Sequence, residues 1–182
     1  PGPVNILSLN CGAQKQFRAH IPFCFGVASG LCFWFVEVGY TGSVIMNDTL
    51  LPIISVAGIG FILYLAYKIL SAKVEISAND ETIGVLSYKD GLLMQLLNPK
   101  CMMVVLPVTT VQFPAIGIDG IWIAVWSVLL GALGFGAPFI YAVFGAFVSR
   151  NFHSSTYLKI MNIVMGLMLI AVAVDMAYSQ VY

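Results

Sequence analysis

Charged residues are scarce in this chain, where they make up 9% of the 182 residues, against roughly 25% in ordinary soluble domains. Eight basic and eight acidic side chains give a net charge of zero, so neither sign favours a nucleic acid or another polyion as partner. Hydrophobic residues make up 60% and the mean hydropathy is +0.95. The composition therefore predicts an integral membrane protein, whose permanent partner is lipid.

The sequence also lacks the residue spacings that bind metals or build catalytic centres. No nucleophile with a base recurs, and no Gly-rich phosphate loop, haem motif or zinc motif is present. We therefore predict no catalytic residue, no metal and no cofactor. The two histidines, His20 and His153, flank apolar runs, and we expect both in loops. The cysteines lack a CxxC pair and are interpreted as small packing residues; they are Cys11, Cys24, Cys32 and Cys101.

Long apolar runs, in contrast, fill most of the chain. Each is close to the ~20 residues with which a helix crosses a bilayer, and we predict spans at about 21–46, 50–70, 92–113, 121–149 and 157–177. The opening stretch, 1–12, is shorter. We interpret it as the remaining part of a truncated first helix, with a cleaved signal peptide upstream as the alternative. The sequence thus predicts an all-α protein with six transmembrane helices.

Basic residues alternate between the connections. Seven of the eight Lys and Arg lie in the connections that follow spans one, three and five or at the span ends that border them, and the positive-inside rule places these connections in the cytoplasm. We predict a single transmembrane domain, 1–182, in which a polar cytoplasmic linker, 71–89, joins two halves, 1–70 and 90–182. Because each half has three helices, the halves have opposite orientations, as in transporters built from inverted repeats.

Asn98, Pro99 and Lys100 lie inside one of these apolar runs. A charge at membrane depth costs roughly 2.5–3.5 kcal/mol on insertion scales and usually faces a bundle interior or an aqueous pathway. Pro99 cannot donate to the helix, so it frees backbone carbonyls beside the cation. A broken helix next to a charge predicts a transport site. In the alternative interpretation Lys100 only snorkels from a helix end and Pro99 is a tolerated kink.

A corresponding break opens the first half, at Gly2, Pro3 and Asn5. A zwitterionic substrate needs partners for its carboxylate and for its ammonium group. Lys100 and amides exposed at the proline break suit the carboxylate, because helix N-termini attract anions. Asn5, Asn98 and the freed carbonyls suit the ammonium group.

Two carboxyl groups, Glu37 and Asp175, interrupt other apolar spans. They are candidate proton carriers, because a carboxyl group in a low dielectric is harder to ionise and can bind and release a proton near neutral pH. Both lie toward the outer ends of their helices, so a plain interfacial position is the alternative for each.

Several stretches resemble the lysine exporter superfamily, also called LysE/RhtB, of bacterial amino-acid exporters. They are the opening PGPVNIL, the basic Phe17-Arg18, the small residues of span two, ILYLAYKI, LLNPK and the closing MNIVMGLMLIAVA. The likeness covers nearly the whole chain. PGPVNILSL, Phe17-Arg18 and residues 96–100 together are most similar to the cysteine and O-acetylserine exporters of the RhtB type.

The resemblance implies a six-helix, multi-pass protein of the bacterial inner membrane that exports small amino acids or derivatives, driven by protons. The chain departs from the family in lacking the upstream part of the first helix. A passive channel or facilitator and an intramembrane enzyme or scaffold are the alternatives. Small residues on spans two and five would permit a homodimer. The motif positions that the resemblance places on the substrate pathway are Pro1, Gly2, Pro3, Asn5, Asn98, Pro99 and Lys100.

Overall fold

A computed structural model of the protein describes residues 2–14, 16–42, 50–71, 86–149 and 155–181. Within these ranges the regular structure is entirely helical, which confirms the all-α prediction. The helices are α1 (Pro3–Ala13), α2 (Phe17–Thr41), α3 (Leu50–Leu70), α4 (Tyr88–Leu96), α5 (Pro99–Pro107), a π-helical segment (Val108–Gln112), α6 (Phe113–Ala115), α7 (Ile121–Ser149) and α8 (Ser155–Val181).

The helix bounds follow the apolar runs with local adjustments. α3 and α7 have the predicted bounds, and α8 contains the predicted last span. α2 begins four residues earlier than predicted and ends at Thr41, because Gly42 takes a positive φ of 67° there. α4 begins at Tyr88, within the last residues of the predicted linker, because Ser87 and Asp90 form a capping box.

Two of the described helices are long and apolar enough to cross a membrane, Phe17–Thr41 and Ile121–Val148. The pair Tyr88–Leu96 and Pro99–Ala115 passes the same test together and bends by 62°, so it counts as a third if it is one broken span. α7 turns large apolar side chains outward, with Leu133 73% exposed. Such a surface suits lipid rather than water.

Two clusters of buried side chains hold the helices together. Leu7, Leu65 and Leu169 join α1, α3 and α8 in the first cluster, and Trp34 and Val105 join α2 and α5 in the second. α1 packs mainly on α7 and α8, and α2 packs mainly on α4 and α7. Helices from one predicted half therefore pack extensively on helices from the other.

Glycines permit the closest of these contacts. Gly12 and Gly145 lie where α1 meets α7, and Gly26 and Gly91 lie where α2 meets α4. At each position an added Cβ would overlap backbone atoms of the facing helix. The interlocking of the predicted halves thus depends on residues without a side chain.

The broken helix and its candidate substrate site

The break between α4 and α5 has a local cause in the sequence Asn98-Pro99. The residue before a proline is driven away from helical geometry, and Asn98 is extended, with φ −96° and ψ 102°. Pro99 then takes the first helical position, where its missing N–H is not needed. Asn98 Oδ1 accepts a hydrogen bond from the backbone N–H of Lys100 at 3.1 Å, so Asn98 caps α5.

The amides at this N-terminus are already bonded, contrary to our expectation that they are exposed for a substrate. Pro99 has no N–H, the N–H of Lys100 donates to the Asn98 side chain, and the N–H of Cys101 donates to the Asn98 carbonyl at 3.1 Å. The Lys100 ammonium group is therefore the main positive ligand that the break offers to an anion, supported by the helix dipole.

Lys100 forms an ion pair with Asp175 on α8. Its Nζ donates to Asp175 Oδ2 at 2.5 Å, and the two side chains are 44% and 63% exposed. The structure thus brings together two residues that the sequence singled out separately, one for substrate and one for protons. The pair joins the helix break to α8, and its opposite charges reduce the cost of each charge within a membrane.

The break at the start of the first half has a similar backbone. Gly2 is extended, with φ −80° and ψ 171°, and Pro3 takes the first helical position of α1. Pro3 is buried and Asn5 is half-buried in the first turn. Among the described residues, α1 packs mainly on α7 and α8 rather than on α5. Pro1 lies outside the described residues.

Glu37 is half-buried near the end of α2. Its carbonyl accepts a hydrogen bond from the hydroxyl of Thr41 at 2.5 Å. Its neighbours Trp34 and Val38 belong to the cluster that packs on α5. Among the described residues, Lys100 and Asp175 form an ion pair, whereas Glu37 forms none.

α5 ends in a second irregularity, the π-helical segment Val108–Gln112. Pro107 and Pro114 flank this segment and lack the N–H of the regular ladder. The Thr109 hydroxyl donates to the Val105 carbonyl at 2.8 Å, and the Thr110 hydroxyl donates to the Leu106 carbonyl at 2.7 Å. These hydroxyls satisfy carbonyls near the distortion.

Three amide side chains that the sequence did not single out form a hydrogen-bonded cluster. Gln14 Nε2 donates to Asn10 Oδ1 at 3.1 Å and to Asn162 Oδ1 at 2.8 Å. Asn10 and Asn162 are each 4% exposed. The sequence did offer a signal for this cluster, because a polar amide within an apolar helix tends to hydrogen-bond to another helix. The cluster borders a cavity with about 30 Å³ of space for the centres of water molecules, which Lys68 also lines.

The expectation that His20 lies in a loop is wrong, because α2 begins before it and buries it to 1% exposure. His20 Nε2 lies 2.9 Å from the Ser8 hydroxyl oxygen, and that hydroxyl donates to the Val4 carbonyl at 2.8 Å. The hydroxyl hydrogen is thus in use, so the network assigns the imidazole hydrogen to Nε2, which donates to Ser8. His153 lies outside the described residues.

The chemistry that these residues can perform is binding of charged groups. No group of three His, Cys, Asp or Glu side chains that could hold a metal occurs within the described ranges. Cys11, Cys24 and Cys101 are free and buried in helices, as their interpretation as packing residues requires. Lys100 offers a cation, Asp175 offers an anion, and the amide cluster offers neutral donors and acceptors.

The sequence profile of the LysE type translocator family matches residues 1–180. The chain belongs to this family. Membership confirms the resemblance to the LysE/RhtB superfamily and makes the chain a membrane translocator, and a transporter rather than an enzyme. Comparisons with curated proteins and with solved structures give no match. The similarity of the chain to the cysteine and O-acetylserine exporters in particular stays a prediction.

Proposed function

We propose that this translocator exports small amino acids or close derivatives, of the cysteine, O-acetylserine, homoserine and threonine type, across the bacterial inner membrane. The observation that carries the proposal is the ion-paired Lys100 at the start of α5, beside the break at Asn98. A lysine in such a place needs a partner that can be exchanged if it is to serve transport. Asp175 is such a partner.

The proposed binding step exchanges one carboxylate for another. The carboxylate of the amino acid replaces Asp175 on the Lys100 ammonium group, which keeps the local charge balanced. The released Asp175 then takes a proton or contacts the substrate ammonium group. Asn5 and Glu37 complete the proposed pathway, Asn5 as a polar contact and Glu37 as a second proton carrier.

Alternating access between two inverted three-helix halves is the proposed transport mechanism. The extended residue followed by proline at both Gly2-Pro3 and Asn98-Pro99 supports this correspondence between the halves. A multi-pass arrangement of six spans with cytoplasmic basic connections belongs to the same proposal.

A homodimer also stays a prediction. Two of the small residues of span two, Gly26 and Gly30, face α4 of the same chain, where an added Cβ would meet Tyr88 and Gln95. These two small residues are thus used for packing within the chain, so they offer a dimer no free surface.

A passive facilitator is the second candidate, since it would use the same charged site without a proton carrier. Flux through a facilitator follows the substrate gradient and is insensitive to a protonophore. Export against a substrate gradient requires coupling, for which Asp175 and Glu37 are the proposed carriers. The protonophore is therefore part of the test.

The test expresses the full-length protein in bacteria and challenges the cells with toxic levels of cysteine, O-acetylserine, homoserine, threonine or leucine. We expect resistance with matching external accumulation, and loss of both when a protonophore is added. Lys100→Met should insert normally and abolish export, whereas the matched control Lys89→Met, an exposed lysine on α4, should export like the wild type. Normal export by Lys100→Met contradicts the site, and absence of protection by every compound contradicts the function.

A further inference from the structure

Gln14 places its amide nitrogen between two buried oxygen atoms. It follows the last residue of α1, and its Nε2 donates one hydrogen to Asn10 Oδ1 and one to Asn162 Oδ1. Both asparagines are 4% exposed, so their oxygens need a donor within the protein. The two acceptors converge on one nitrogen, 3.1 and 2.8 Å away.

Two convergent neutral oxygens also suit an ammonium group. An ammonium nitrogen carries three N–H donors, against two on the Gln14 amide. Hydrogen bonds from a charged donor are shorter and roughly twice as strong as neutral ones. An incoming ammonium group can therefore replace the Gln14 amide between Asn10 and Asn162 with a gain in hydrogen-bond strength.

A positive group lies on the same cavity. Lys68, half-buried in the last turn of α3, lines it together with the three amide side chains, and Cys11 and Leu65 add apolar wall. The space for water centres, about 30 Å³, holds water but no amino acid. Displacement of the Gln14 side chain enlarges this space and frees both oxygens.

We infer that Asn10, Asn162 and Lys68 form a second amino-acid subsite, for the ammonium and carboxylate groups of the substrate, and that Gln14 plugs it in the empty state. This inference rests on the proposed export function. The positive-inside prediction puts the end of α1 and the start of α8 on the cytoplasmic side. In the export direction the subsite is therefore loaded before Lys100 is reached.

Loading the subsite also changes the contact between the predicted halves. The hydrogen bond from Gln14 to Asn162 joins α1 to α8, which belong to different halves. A substrate that displaces Gln14 breaks this bond. A bound substrate thus favours the separation of α1 from α8, because it binds better to the state in which the Gln14–Asn162 hydrogen bond is broken.

The test measures uptake of labelled L-cysteine, L-homoserine and L-threonine into inside-out membrane vesicles containing the full-length protein. Gln14→Ala removes the plug and should lower the half-saturating concentration about three- to tenfold. Asn162→Leu removes an acceptor and should raise it about tenfold or more, as should Lys68→Met. Lys159→Met, an exposed lysine on α8, serves as the control and should leave it unchanged.

A different result is expected if the hydrogen bonds of Gln14 only stabilise the contact between α1 and α8. Gln14→Ala and Asn162→Leu would then both lower the maximal rate or the amount of protein and leave the half-saturating concentration unchanged, which overturns the inference. Asn162→Gln keeps a neutral amide oxygen at this buried position, so its half-saturating concentration should stay closer to the wild type than that of Asn162→Leu. A value as high as that of Asn162→Leu also overturns the inference. If wild-type vesicles take up none of the three amino acids, the proposed function fails and the subsite fails with it. Wild-type uptake without these shifts overturns the subsite alone.

Discussion

Lys100 and Asp175 are 75 residues apart in sequence, yet the ammonium nitrogen of one lies 2.5 Å from a carboxylate oxygen of the other. Ion pairs exposed to water typically contribute about 0–1 kcal/mol to stability, and within a membrane a charge costs roughly 2.5–3.5 kcal/mol, so this pair only offsets the cost of its own charges. Opposite charges on two apolar helices, one of them broken at this point, therefore have little structural justification. We therefore expect the pair to serve function, in which Lys100 releases Asp175 and binds an anionic group instead.

Asp175→Asn should separate coupling from binding. The amide cannot carry a proton, so we expect net proton-driven export to be lost, while exchange of internal for external amino acid continues. Asparagine leaves the Lys100 charge without its partner within the membrane, so we also expect a loss of stability of up to roughly 2.5–3.5 kcal/mol, and transport is therefore compared per amount of folded protein. The measurement compares net efflux with exchange in reconstituted vesicles, and Asp119→Asn, in an exposed connection, is the control. Undiminished net export by Asp175→Asn would remove this residue from the coupling mechanism.

The cap at the break should matter for transport beyond its effect on stability. Asn98→Ala removes the hydrogen bond to the Lys100 N–H and should cost about 0.5–2 kcal/mol, whereas serine is an equally good cap. We expect Asn98→Ser to retain more export than Asn98→Ala, because it keeps α5 starting beside Lys100. The experiment measures export per amount of protein in the membrane.

Ser87→Ala provides a matched comparison for that cap. Ser87 caps α4 away from the break and accepts from the Asp90 N–H, so its loss should lower stability by a similar amount and leave export per protein unchanged. If Ser87→Ala and Asn98→Ala reduce specific export equally, the break has no special role.

The apolar helices could be predicted because a bilayer fixes how long such a helix must be, and two of the described ones, α2 and α7, are long and apolar enough to cross it. The bounds of α3 and α7 and the break at Pro99 follow from composition and from the chemistry of proline. The partners of Lys100 and Gln14 could not be predicted in the same way. A helix that is apolar all round gives no periodic signal of which side faces its neighbours, so the contacts of α8 with Lys100 and Gln14 depend on tertiary packing. His20 was misplaced because the basic residues before it suggested a connection, whereas α2 begins at Phe17.

The hydroxyl of Ser8 should contribute to stability through His20. Ser8→Ala leaves the buried Nε2–H of His20 without an acceptor, at a cost of about 1–3 kcal/mol. Ser29→Ala is the control, since Ser29 also donates to a carbonyl one turn earlier, that of Phe25 at 2.9 Å, but at an exposed site. Surface changes of that kind usually stay within about 0.5 kcal/mol. Thermal unfolding in detergent measures both, and equal losses would show that the Ser8–His20 bond contributes nothing.

The contact between α1 and α7 should depend on Gly12 having no side chain. In Gly12→Ala the new methyl group would overlap the carbonyl oxygen of Ala142, so the helices must separate, at a cost of about 1–3 kcal/mol. Gly136→Ala, on α7 with nothing within 4 Å of an added Cβ, should instead be neutral or stabilising by up to about 1 kcal/mol. The measurement is the unfolding temperature in detergent together with the amount of protein in the membrane.

A second substitution tests the cause of the Gly12→Ala effect. Ala142→Gly removes the side chain of Ala142 but keeps its carbonyl oxygen, which is the atom that the new methyl group overlaps. The double variant Gly12→Ala/Ala142→Gly should therefore be no more stable than Gly12→Ala alone. Recovery of wild-type stability in the double variant would mean that side chains, and not the backbone, limit how closely α1 approaches α7, and the account of the interlocked halves would have to change.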